Sequence, residues 1–139
     1  MSHHLGVPAP VPGFPARFPV RGDGRRPLRY RLAISLDLLR GGRRLLVFIE
    51  GHRSRGRGMG PAEAGAGFLV RHTQAPVLPV AIWGTERGLR LTGGLLPRRG
   101  WIRVRYGRPL TVSGRSDREI ADRIAAEVAA LLPSRYRRG

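Results

Sequence analysis

The sequence predicts an α/β fold, a mostly parallel sheet with flanking helices, and three observations carry that prediction. Two short apolar runs, residues 45–49 and 77–83, have the length of strands buried on both faces; Arg43-Arg44 and Glu50-Gly51 bound the first. Stretches with apolar residues at helical spacing alternate with them, and proline and glycine sit where the period changes. The order from Phe18 is strand, helix, strand, helix, strand, a longer link, strand and helix. Such alternation implies parallel strands covered by helices, with sites at the carboxyl ends of the strands. The chain has no internal repeat.

Residues 1–17 carry four of the twelve prolines, at positions 8, 10, 12 and 15. Proline removes amide donors and fixes φ, so an extended Pro/Gly-rich arm is expected there. From Pro27, Leu28, Leu32, Leu36 and Leu39 fall on one helical face, with Gly41-Gly42 as a stop. Residues 45–49 follow as a buried strand. Residues 50–60 then hold four glycines and four charged side chains, and Pro61 opens a second helix through about Thr73. In it Ala62, Gly65, Ala66, Leu69 and Val70 are available for packing. Pro79 within the strand 77–83 points to an unpaired position or a bulge. Residues 101–106 alternate Trp, Ile, Val and Tyr with Arg, as an edge strand does. The last helix is the best marked. Ser116 and Glu119 match a capping box, Ile120, Ile124, Val128, Leu131 and Leu132 form one stripe, and Pro133 ends it. The expected organisation is an arm at 1–17, a folded part at 18–133 and a basic tail at 134–139.

Composition narrows the classes. The 139 residues carry 26 basic side chains, all arginine, against 9 acidic ones, a formal charge of +17. Leu, Ile, Val and Phe make up roughly 27 %, above the level of about 20 % below which a highly charged chain stays disordered. The absence of cysteine excludes disulfides, thiolate zinc sites and cysteine nucleophiles together. The longest aliphatic or aromatic run, 45–49, is far short of a membrane span, and the first twenty residues do not read as a secretory signal. A cytoplasmic protein or one peripheral to the cytoplasmic face of the membrane is expected. The charge itself suits nucleic acid and anionic lipid alike, because arginine grips phosphate with a two-pronged hydrogen bond.

The segment that carries chemistry is Phe48-Ile49-Glu50-Gly51-His52-Arg53-Ser54, at the end of an expected strand. Arg53 could pair with phosphate oxygens, Glu50 could accept from a substrate hydroxyl or hold Arg53, and Gly51 lets a backbone approach closely. The same residues also fit an ordinary polar loop with a surface ion pair of less than about 1 kcal/mol.

In these residues the sequence resembles the phospholipid/glycerol acyltransferases, the family of lysophosphatidic acid acyltransferase. Their third motif commonly reads Phe-Pro-Glu-Gly-Thr-Arg-Ser; Phe48, Glu50, Gly51, Arg53 and Ser54 match it, while Ile49 and His52 depart. Phe18-Pro19-Val20-Arg21 looks like the second motif. Pro61 through Gly65 takes the place of the family's Pro-Phe-Lys-x-Gly turn, and residues 77–82 resemble the fourth motif, with Gly84-Thr85-Glu86 after it. Residues 103–110 resemble the late strand and Gly-x-Pro turn before the final helix. The likeness covers roughly residues 18–132.

The resemblance implies a glycerol-3-phosphate acyltransferase-like fold, here incomplete at its N-terminus. It also implies acyl transfer from acyl-CoA or acyl carrier protein to a lysophosphatidic acid-like acceptor in phospholipid biosynthesis, with no bound cofactor and no metal. In that scheme Arg21, Glu50, Gly51, Arg53 and Ser54 are substrate-binding candidates, and Pro79 belongs to the fourth motif. The family's base is a His-x-x-x-x-Asp pair, in which the carboxylate orients a histidine that activates the hydroxyl. None of His3, His4, His52 and His72 is followed by an acid at that spacing, so this chain holds no catalytic residue and is expected to be inactive alone. Ala62, Glu63 and Ala64 replace the family's aromatic and basic positions. His52 reads as a loop substituent, and His3-His4 as part of a terminus, not as metal ligands.

A second reading is an Arg-rich binding module for anionic membrane or nucleic acid. The aromatic residues number only nine, and only Trp101 and Tyr106 alternate with arginine, which disfavours nucleic acid. An incomplete open sheet is also expected to expose an apolar face and a free edge, and hence to be poorly soluble.

Overall fold

The computed structural model describes residues 28–52, 58–85 and 101–137. The chain divides into two units, residues 1–46 and 47–139.

The first unit contains α1 (Leu28–Arg40), the helix expected from the leucine spacing. Its C-terminus is closed by Gly42 at φ +72°, where glycine carries no Cβ penalty. The Arg43 amide donates to the Leu38 carbonyl at 2.9 Å and the Gly42 amide to Leu39 at 3.0 Å, the two bonds of a Schellman cap. None of the helix's residues is buried.

The second unit contains α2 (Ala64–Thr73), β1 (Val80–Trp83), β2 (Arg103–Tyr106), α3 (Asp117–Leu131) and a 3-10 turn, Ser134–Tyr136. It is a mixed α/β unit. The mostly parallel sheet expected is not shown. Among the described residues the sheet is one antiparallel pair, in register Val80 with Tyr106 and Trp83 with Arg103, extended by a bridge between Val77 and Leu110. Alternation of strands and helices identified both strands but said nothing about a partner reached by a long return link. The run 45–49 is a correction. It carries no strand, and Leu46, Val47 and Phe48 are 71 %, 41 % and 69 % exposed. A central strand is buried only when it has neighbours on both edges, and no described strand flanks this one. Ile49 alone joins the core.

Two apolar clusters hold the unit together. Ala66 and Val70 of α2 meet Ile120 and Ile124 of α3 and Val112, with Ile49, Val77 and Leu110 packed around them. Ala81 and Trp83 of β1 meet Leu132 and Tyr136, with Met59, Val128 and Leu131 at the edge. The helices approach closely at Gly67, where a Cβ would lie 1.8 Å from the Asp117 carbonyl oxygen. Arg71 and Asp117 pair at 2.9 Å beside that contact.

The capping box of α3 is present. The Glu119 amide donates to Ser116 Oγ at 3.1 Å, and Glu119 Oε2 accepts from the Arg115 amide at 2.8 Å, one residue before the cap. Glu119 Oε1 also takes Arg123 at 2.7 Å. Ser116→Ala is therefore expected to lower stability by about 1 kcal/mol, read as a shift of the urea midpoint at unchanged slope. Beyond Pro133, residues that the sequence assigns to a basic tail are folded in part: Tyr136 is buried against Trp83 and its neighbours.

Candidate functional site

The site begins with a turn. The Gly51 amide donates to the Phe48 carbonyl at 3.0 Å, and Gly51 adopts φ +68°, a left-handed conformation that glycine takes without strain. The chain returns at residues 59–63, and two bonds join the outgoing and returning stems. The Glu63 amide donates to the Ile49 carbonyl at 2.7 Å, and the Gly60 amide donates to Glu50 Oε2 at 2.9 Å. Little room is left between the stems: a Cβ at Gly51 would lie 2.9 Å from Glu63 Cγ, and one at Gly60 would lie 3.0 Å from Glu50 Oε2.

This pairing explains why α2 starts at Ala64 and not at Pro61. Glu63 is extended, with φ −83° and ψ 143°, because its amide is engaged by Ile49 before the helix begins. The returning stem is fixed further out as well. The Met59 amide donates to the Tyr136 carbonyl at 3.1 Å, and Arg118 of α3 donates to the Ala62 carbonyl.

Of the expected substrate-binding residues, the structure brings Glu50 and Gly51 together at the base of the loop. Arg21, Arg53 and Ser54 lie outside the described residues. Glu50 has a use that the sequence did not suggest: one carboxylate oxygen pins Gly60, ten residues on, and so closes the loop that bears Arg53, Arg55 and Arg57. A charge-assisted bond of this kind is worth about 1.5–3 kcal/mol when sheltered. A carboxylate has a second oxygen that can accept from a hydroxyl or meet a cation. Gly60, Met59, Arg118 and Tyr136 were missed as parts of the site's support. Only Tyr136, an aromatic side chain within an arginine run, left any signal in the sequence.

Among the described residues no three His, Cys, Asp or Glu side chains gather to hold a metal ion, and no helix is long and apolar enough to cross a membrane.

Residues 18–83 match the family model described as Acyltransferase. That segment, just under half of the chain, is similar to the acyltransferase family, whose general activity is acyl transfer. It includes the positions read as the second, third and fourth motifs of the phospholipid/glycerol acyltransferases, with the Glu50 turn between flanking matches. The match ends at Trp83, so β2 and α3 lie beyond it. No curated protein and no solved structure matches the chain.

Proposed function

We propose that the chain supplies the acceptor-phosphate side of an acyl transfer from acyl-CoA or acyl carrier protein to a lysophosphatidic acid-like glycerol-phosphate acceptor, in phospholipid synthesis. The observation that supports this reading most is the Glu50 to Gly60 bond, which closes the base of a glycine-rich, arginine-bearing loop inside the family-matched segment. In this reading Arg53 grips the phosphate monoester, because a guanidinium fork matches two of its oxygens, and Arg21 stays a substrate-binding candidate through the family resemblance alone. Ser54 donates to a third oxygen. Glu50 spans the two parts of the site, pinning the loop through one oxygen and orienting a glycerol hydroxyl through the other. Gly51 keeps the turn open where a side chain would meet Glu63.

With this reading go the expected mostly parallel sheet and a place at the cytoplasmic face of the membrane, where the acceptor resides. The sequence supplies no His-x-x-x-x-Asp, so the base that deprotonates the acceptor hydroxyl is not in this chain. Incubated with lysophosphatidic acid and an acyl thioester, the purified chain is expected to release no thiol above the uncatalysed rate. Thiol release that is lost on Glu50→Gln, with diacyl product formed, would overturn the assignment of Glu50 to binding alone.

A further inference from the structure

The residues after α3 fold back onto the stem of the Glu50 loop. Pro133 ends the helix and a 3-10 turn follows, in which the Tyr136 amide donates to the Pro133 carbonyl at 2.8 Å and the Arg137 amide to that of Ser134 at 3.2 Å. Arg137 Nε also donates to the Leu132 carbonyl at 2.9 Å, satisfying an acceptor that the helix end leaves open. The turn puts the Tyr136 ring into the cluster of Ala81, Trp83 and Leu132, against which Met59 packs, and the ring is 9 % exposed. On its outer side the Arg135 guanidinium lies 5.1 Å over it.

This burial sets the place of a backbone acceptor. The Tyr136 carbonyl takes the Met59 amide at 3.1 Å, and the next amide, that of Gly60, goes to Glu50 Oε2 at 2.9 Å. Two successive amides of the returning stem therefore find acceptors in distant parts of the chain, residue 50 and residue 136. A stem held at one amide can still swing about it. Held at two neighbouring ones, it is fixed in direction as well as in place, so each bond reduces the ordering entropy that the other must overcome.

We propose that Tyr136 is a positioning residue for the Glu50 loop, acting through Met59, and that the Met59 to Tyr136 and Gly60 to Glu50 bonds form cooperatively. The consequence for ligand binding rests on the acyl-transfer reading, in which this loop carries Arg53; the coupling of the two bonds does not. The family match ends at Trp83, so this support comes from a part of the chain that the match does not reach.

Coupling is reciprocal, which gives a crosswise test by amide hydrogen exchange on the full chain. Tyr136→Ala is expected to speed exchange of the Gly60 amide about fivefold or more, the lower end of ordinary couplings, although Glu50 is untouched. Glu50→Ala is expected to speed the Met59 amide by a similar factor, although Tyr136 is untouched. Tyr136→Phe keeps the packed ring and is expected to leave both amides within about twofold of wild type, well inside that coupling. The Ile120 amide, which donates to the Ser116 carbonyl at the start of α3, is the control for general loosening and is expected to stay as in wild type. Unchanged Met59 exchange in Glu50→Ala would overturn the proposal, and that variant removes no core side chain, so it decides the matter even if Tyr136→Ala fails to fold. Unchanged Gly60 exchange in a folded Tyr136→Ala would overturn it equally. Titration with lysophosphatidic acid separates the two readings. Tyr136→Ala is expected to weaken binding by the factor by which Gly60 loosens. A wild-type chain that binds none would remove the acyl-transfer reading, with the exchange data still deciding the coupling. A variant whose Gly60 loosens while it binds the lipid as wild type does would remove Tyr136 from the positioning role.

Discussion

Replacing Gly67 by alanine is expected to destabilise the second unit by about 2 kcal/mol, although alanine is the better helix former by about 1 kcal/mol. The sign follows from what the new methyl would meet. Its carbon would lie 1.8 Å from the Asp117 carbonyl oxygen, 2.7 Å from the carbonyl carbon and 3.0 Å from the Ala121 amide nitrogen. All three are backbone atoms, so no rotamer change can move them aside. Helices α2 and α3 would have to separate, and the packing of Ala66 and Val70 on Ile120 and Ile124 would open with them. Overpacking of this kind typically costs about 1–3 kcal/mol, and separation of a whole helix pair belongs at or above the upper end. The gain in propensity offsets only part of it. Urea denaturation of the full chain followed by far-ultraviolet circular dichroism checks the value. A midpoint at or above wild type would mean that the close approach of α2 and α3 is wrong.

Glu50→Ala is expected to cost about 2 kcal/mol in the closure of the loop, because it leaves the Gly60 amide without its acceptor. Glu50→Gln is expected to cost much less, since the amide oxygen can take the same bond. Hydrogen exchange separates the two. The Gly60 amide should exchange on the order of tenfold or more faster in the alanine variant and within a few fold of wild type in the glutamine variant, as a difference of about 1.4 kcal/mol per factor of ten requires. Equal exchange in all three proteins would remove Glu50 from its role as the clamp of the loop. The pair of variants also separates structure from recognition, because glutamine preserves the clamp but removes the charge.

Helices were the most legible part of the fold. The leucine spacing and the Gly41-Gly42 stop located α1 within a residue, and Ser116, Glu119 and Pro133 located α3. These signals are local: caps and breakers act within a few residues of the ends that they define. Residues 80–83 and 103–106 were also recognisable as strands, but their antiparallel pairing was not. Residue types record which faces are apolar, whereas the partner depends on the path of the link. The run 45–49 misled for a related reason, since an apolar pentapeptide records only that burial would be favourable. Leu46 and Phe48 stay exposed where no described strand lies beside them. In the site, Glu50 and Gly51 stood out through the motif that they belong to. Gly60 did not, because a side-chain bond across ten residues leaves no period, and neither did the anchoring of Met59 on Tyr136, from the far end of the sequence.

The central claim is that the loop closed by Glu50 recognises a glycerol-phosphate acceptor. Calorimetric titration of the full chain with lysophosphatidic acid, beside the matching monoacylglycerol that lacks the phosphate, tests it most directly. The account predicts saturable binding of the phosphate form only, weakened on the order of tenfold or more by Arg53→Ala, as expected for a sheltered charge-assisted pair. Glu50→Gln should weaken binding less while leaving the Gly60 amide protected. Equal affinity for the two lipids, or an Arg53→Ala variant that binds as wild type does, would contradict it.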